Sequence, residues 1–165
     1  MKKFTEKWVK ILKIVHLLFA FMWIGGGISI ILLLLTISPQ ESHELYMRSL
    51  IIKLIDDWLI IPGALGIVII GIIYGIWTNW GFFKYKWIIV KWTLTILMAF
   101  LGTFFLGTWV NSNVYPVEDI SNYTLDNSTF FYNVLQTAIW ASVQIFLLLI
   151  VIIISVFKPW KQQKK

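Results

Sequence analysis

Asp56–Trp92 reads DDWLIIPGALGIVIIGIIYGIWTNWGFFKYKWIIVKW. Two acids open it, an uncharged apolar run goes from Trp58 to Trp77, and Lys84, Lys86 and Lys91 then arrive close together. A helix rises about 1.5 Å per residue, so such a run crosses a hydrocarbon core about 30 Å thick. The order of charges gives the crossing a direction, because lysine and arginine collect on the cytoplasmic side. Another apolar run begins at Trp87, after the short connection TNWGFFKYK (Thr78–Lys86). A connection that short predicts spans two and three to be antiparallel neighbours.

The same reading extends to the whole chain. Apolar runs at Ile14–Ile37, Trp58–Trp77, Trp87–Trp109 and Phe131–Phe157 predict four spans in one domain covering residues 1–165. Of the fourteen lysines and arginines, Lys2, Lys3, Lys7, Lys10, Lys13, Lys84, Lys86, Lys91, Lys158, Lys161, Lys164 and Lys165 fall on one side. Arg48 and Lys53 fall on the other, with Glu41, Glu44, Asp56, Asp57, Glu118, Asp119 and Asp126. The expected fold is an all-α, four-span antiparallel transmembrane bundle in the plasma membrane, with both termini cytoplasmic.

Composition agrees: 59% of the residues are hydrophobic and 13% are charged, with a mean hydropathy of +0.80. That leaves too little polar surface for a soluble globule, and the lipid bilayer becomes the expected surround. The net charge of +6 sits in short clusters beside the spans, where anionic headgroups are the expected partner and nucleic acid is not. With no cysteine, disulfides, thiolate catalysis, iron–sulfur clusters and cysteine-ligated zinc are excluded. The first run follows a lysine-rich leader but lacks a small-x-small cleavage site, and reads as a retained anchor.

Outside the spans, Ser38–Asp57 has a polar half and an amphipathic half, LYMRSLIIKLIDD. The second half either lies flat at the interface or extends span two outward. Asp57 is placed to cap span two. The 111–129 loop carries Pro116 and the sequons at Asn122 and Asn127. The Ile- and Lys-rich character of the chain is bacterial, which leaves those sequons unused. Trp58 and Trp109 mark one interface, and Trp77, Trp80, Trp87 and Trp160 the other. Small residues recur at Gly25/Ser29, Gly71/Gly75 and Thr103/Gly107, the spacing that lets helices approach closely.

An ionisable residue inside a span is costly and is a functional candidate by default. His16 lies three residues past Lys13, and Lys91 five past Lys86, so both sit at a similar depth near the lysine-rich side. Tyr74, on the returning span, reaches the same level. His16, Ala20, Trp23 and Gly27 share one helical face, as do Lys91, Thr95, Met98 and Gly102. These stripes predict an interior pocket with His16, Lys91, Tyr74 and Trp23 on its wall. A purely structural reading stands beside this one: Lys91 snorkels to water, His16 bonds to a neighbouring helix, and Trp23 fills space. On the acidic side, His43 between Glu41 and Glu44 is a weak outer metal site for copper or zinc. Gln136 and Gln144 of span four need partners across the bundle. No hydrolase triad, phosphate loop or metalloprotease motif appears, so whether the chain is an enzyme stays open.

The stretch KIVHLLFAFMWIGGG (Lys13–Gly27), with KYKWIIVKWTLTIL (Lys84–Leu97) further on, resembles a superfamily of small bacterial membrane proteins. It includes copper-resistance-D-like proteins, a predicted integral membrane family of unknown function, and the haem-binding protoporphyrinogen oxidase. The shared pattern is a span-one histidine followed by tryptophan and glycine, with a span-three lysine; here these are His16, Trp23, Gly25 and Lys91. The resemblance implies haem b between spans one and three, with His16 as an axial iron ligand and Lys91 as a second ligand or a propionate partner. After span one the oxidase pattern carries a tyrosine–leucine–proline–arginine run, where this chain reads SIILLLLTIS. It also carries a late span-three histidine, where this chain reads MAFLGTFFLG. The resemblance therefore extends to haem binding rather than to the oxidase reaction. Redox or porphyrin handling is the leading expectation. The alternatives are a transporter or accessory subunit for a metal or small solute, and a structural or assembly partner without cofactor. Glycine-rich faces permit a homodimer or a membrane partner as readily as packing within one chain.

Overall fold

Long apolar stretches with few breakers have one way to satisfy every backbone group without water, which is to become helices. In a computed structural model, which describes residues 3–114 and 128–160, they do so. Pro116, Glu118, Asp119, Asp126, the sequon asparagines Asn122 and Asn127, Lys2, Lys161, Lys164 and Lys165 lie outside the described residues. The elements are α1 (Glu6–Thr36), α2 (Ser42–Ile55), α3 (Ile61–Trp77), α4 (Lys86–Leu101), α5 (Gly107–Ser112) and α6 (Ser128–Phe157). π-helical turns at Asp56–Ile60 and Gly102–Leu106 fuse α2 to α3 and α4 to α5. Four continuous helices result, each long and apolar enough to cross a membrane. This is a four-span, all-helical integral membrane protein.

The helices run further than the apolar runs alone predict. Span one begins at Glu6, eight residues before Ile14, because lysines at its start are good helix formers and need no burial. Span two is helical from Ser42, so the amphipathic segment extends it instead of lying flat. Asp57 therefore caps nothing; it sits inside the helix and pairs with Lys53 at 2.8 Å. The first π turn has a local cause. Pro62 has no N–H to donate and its ring crowds the carbonyl one turn back, and the chain widens just before it, with Ile61 N–H reaching Asp56 O.

Packing follows the small residues, though only partly those at the expected spacing. Span one lies along α3 and α6, and α6 in turn packs on α4 and α5. The tightest approach is α1 to α3: a Cβ at Gly63 would stand 2.7 Å from the backbone N of Trp23 and 2.9 Å from the carbonyl of Phe19. Gly66 seats the Phe19 ring. Gly71 and Gly75 instead receive the rings of Trp92 and Phe82. Spans two and three are antiparallel and pack on each other through α2 and α5, while between α3 and α4 these rings, 5.6 Å apart, stand in place of close backbone packing. The Gly25/Ser29 pair is not a tight helix seam. Nothing lies within 4 Å of a Cβ at Gly25, and Ser29 Oγ bonds its own helix at Gly25 O, 2.8 Å away. Spacing marks a small-residue stripe; which way it faces depends on the partner helices.

One end of the bundle gathers the start of α1, the α3–α4 connection and the end of α6. Phe4 N–H donates to Trp77 O at 3.0 Å and the two rings stack, while Lys158 Nζ lies 5.0 Å from the Trp80 ring centroid. This is the lysine-rich end. The start of α2, the end of α5 and the start of α6 form the opposite, acid-rich end.

Candidate functional site

Both predicted stripes face inward. On α1, Trp23 and Gly27 are buried with His16 and Ala20 half-buried; on α4, Thr95 and Met98 are buried with Lys91 half-buried. Tyr74 lies one turn beyond buried Ile70 on the inward side of α3. Three separate helices thus deliver His16, Tyr74 and Lys91 to one level near the lysine-rich end.

The contacts there differ in kind. The His16 and Tyr74 rings meet edge to face, with centroids 6.2 Å apart. Tyr74 Oη donates to Val9 O at 3.1 Å, tying α3 back to α1. Lys91 Nζ lies 5.8 Å from the Trp87 ring centroid. It comes to this level from span three, with its ammonium lying on the Trp87 ring. His16 Nδ1 is buried and has no hydrogen-bond partner. The same holds for Trp87 Nε1, whose residue is only 7% exposed. Buried polar atoms are almost always paired, so each unpaired one needs an explanation.

Above this level the bundle closes. Trp23, Met98 and Leu148 form a buried core cluster, with Met98 fully buried. Trp23 Nε1 donates to Gln144 Oε1 at 3.3 Å, and Gln144 Nε2 donates to Met98 O at 3.2 Å. One amide joins spans one, three and four. Gly102 makes room for it, since a Cβ there would lie 3.2 Å from Gln144 Nε2. The second π turn starts at this glycine, where a side chain from another helix shares a ladder carbonyl. Trp23 is thus part of the closed core, two helical turns from His16. Gln136 bonds within its own helix, accepting from Trp140 Nε1 at 3.2 Å.

The acid-rich end is mostly self-satisfied. Asn133 Nδ2 donates to Asn113 Oδ1 at 2.9 Å, Ser49 Oγ to Leu45 O at 2.9 Å, and Thr137 Oγ1 to Asn133 O at 2.8 Å. Arg48 Nη1 donates to Ile37 O at 2.9 Å, holding the chain between α1 and α2. A cavity of about 10 Å³ beside Ser49, Asn113 and Thr137 has room for about one water. At the start of α2, His43 and Glu41 are exposed, and Glu44 Oε2 accepts from the Gln40 N–H at 2.8 Å. Among the described residues no three metal-ligating side chains gather, here or elsewhere.

Sequence reasoning missed Trp87 and Lys158 as members of the inner cluster, placing one in an interfacial belt and the other in a basic tail. The spacing of Trp87 and Lys91, one turn apart on one face, was the available signal. No family model, curated protein or solved structure matches this chain.

Proposed function

We propose that this integral membrane protein binds haem b near its lysine-rich end, which faces the cytoplasm of a bacterial cell, and serves redox or porphyrin handling. The observation that carries the reading is the half-buried His16 imidazole, with a buried nitrogen left unpaired and a lysine of span three at its level. A buried polar atom without a partner costs about 1–3 kcal/mol, and a ligand that uses the imidazole removes that cost. The donor set fits haem in kind: neutral imidazole is an iron ligand, and an ammonium without a carboxylate partner suits a propionate. Haem, when bound, supplies one-electron chemistry at its iron. The chain's own contribution is to hold the imidazole by the Tyr74 ring, to bring Lys91 to it from span three, and to keep water out with the Trp23–Met98–Leu148 core. The resemblance of the His16 and Lys91 stretches to the haem-binding branch of the superfamily points the same way.

The closed core also favours a one-sided binding site over a transport path. An absorption spectrum of the protein purified in mild detergent from haem-replete cells, oxidised and then dithionite-reduced, tests the reading. A Soret band with reduced α and β bands, absent in His16→Ala and weakened or shifted in Lys91→Ala, is expected. A colourless wild-type protein, or a spectrum unchanged in His16→Ala, would overturn it.

A further inference from the structure

At the lysine-rich end three lysines each lie over an aromatic ring. Lys84 Nζ is 5.6 Å from the Tyr85 centroid, Lys91 Nζ 5.8 Å from Trp87, and Lys158 Nζ 5.0 Å from Trp80. The Trp80 and Trp87 rings meet edge to face at 5.5 Å, so Lys91, Trp87, Trp80 and Lys158 form one continuous chain of contacts. The Trp87–Trp80 pair thus carries an ammonium group on each of its rings. Among the described residues no carboxylate pairs with either; the ion pair that is described, Lys53–Asp57, lies at the far end. Between the two cations sits Trp87, more than nine-tenths buried, with an indole N–H that donates to nothing.

This set has an unusual property: every free polar group in it is a donor. Ammonium groups and an indole N–H have no lone pair to offer. Two cations brought together without an acid repel each other, and the arrangement becomes favourable when an acceptor-rich anion is shared between them. Backbone conformation at Lys158 adds to this. The residue ends α6 with φ of +46°, a left-handed conformation that a side-chain-bearing residue adopts at a cost. Depth narrows the anion. Trp80 and Lys158 belong to the boundary of the span, and just before Lys158 on α6 the side chains of Ile153 and Phe157 are exposed. A charged group therefore meets the lysines where an apolar chain meets Ile153 and Phe157.

We propose that Lys91, Lys158 and the Trp87 indole N–H form a site for a phosphate anion, the headgroup of an anionic phospholipid in the leaflet at the lysine-rich end. The aromatic pair holds the two stems, the ammonium groups neutralise the phosphate, and the indole N–H donates to one of its oxygens. Lys91 is shared with the haem reading, and the site is told apart from it by Lys158 and Trp87, which take no part in holding haem.

Native mass spectrometry of the haem-free protein, titrated in neutral detergent with phosphatidylglycerol or with phosphatidylcholine of the same acyl chains, tests this. Phosphatidylglycerol should bind about tenfold more tightly, a preference of about 1.4 kcal/mol. Lys158→Gln and Trp87→Phe should each weaken it by about threefold to tenfold, as expected for one charge-assisted or buried hydrogen bond. Lys158→Arg should retain binding, and so should Lys10→Gln, which removes an exposed lysine elsewhere on the same end. Trp87→Phe keeps a ring in the core, so its thermal unfolding midpoint shows whether the fold is intact. Equal binding of the two lipids, or no change in both Lys158→Gln and Trp87→Phe, would overturn the site. So would loss in Lys10→Gln as large as in Lys158→Gln, which would make the effect one of general basicity. Displacement of the lipid by inorganic phosphate at equal concentration would overturn the headgroup assignment in favour of a soluble phosphate. A haem spectrum lost in His16→Ala but kept in Lys158→Gln separates this site from the haem reading.

Discussion

Gln144 and His16 are both polar groups inside a membrane span, about two helical turns apart in depth, and the protein treats them oppositely. Both ends of the Gln144 amide are used, one by Trp23 and one by the Met98 carbonyl, so that three spans are locked at the midplane. Nδ1 of His16 is also buried and bonds to nothing. A glutamine that only holds helices together needs no further partner. The imidazole, set edge to face against Tyr74, keeps one buried nitrogen that the fold does not use, and this is the nitrogen that the proposed haem would engage. Polar residues in spans thus divide by whether the fold itself consumes their hydrogen bonds, and residue type does not make that division.

The closed layer breaks most readily at its tightest seam. Gly63→Leu should cost about 3 kcal/mol or more, because the obstacle is the backbone of α1 and cannot rotate away. The measurement is thermal unfolding in detergent, or loss of monodisperse protein on size exclusion. Next comes Gln144→Ala, expected to lose about 2–3 kcal/mol from two hydrogen bonds and a small cavity, read in the same unfolding experiment. Tyr74→Phe should be milder, about 1 kcal/mol, since one bond to Val9 O is lost and the ring stays against His16. The smallest effect belongs to Gly25→Ala. With open space around it, this change should leave stability unaltered or raise it by about 0.5 kcal/mol. A Gly25→Ala variant as damaged as Gly63→Leu would mean that the exposed stripe carries an interface between chains.

The four spans were legible because hydrophobic length is a one-dimensional property, and the lysines and acids alternate with it. The inward direction of His16 and Lys91 was legible too, since one face of a helix fixes which residues share a side. Helix ends were less so: Glu6–Lys13 and Ser42–Asp57 continue as helix on propensity and on neighbours that apolar length does not register. What no single helix encodes is which helices adjoin. That is why Gly25 looked like a packing position while Gly63 and Gly66 did the packing. It is also why Trp23, on the His16 stripe, proved to belong with Gln144. Trp87 and Lys158 lie far apart in sequence and are linked through Trp80, a contact that needs the end of α6 laid beside the α3–α4 connection.

The contrast between the two levels is measured most directly by thermal unfolding of His16→Leu beside Gln144→Leu, in haem-free protein and one detergent. Gln144→Leu should be destabilised by about 2 kcal/mol, because Trp23 Nε1 loses its acceptor and a tie between three spans goes with it. His16→Leu should lose nothing and gain up to about 1–3 kcal/mol, since leucine removes a buried nitrogen that the haem-free fold leaves unpaired. An equal loss in both variants would contradict this, and would return His16 to the structural interior alongside Gln144.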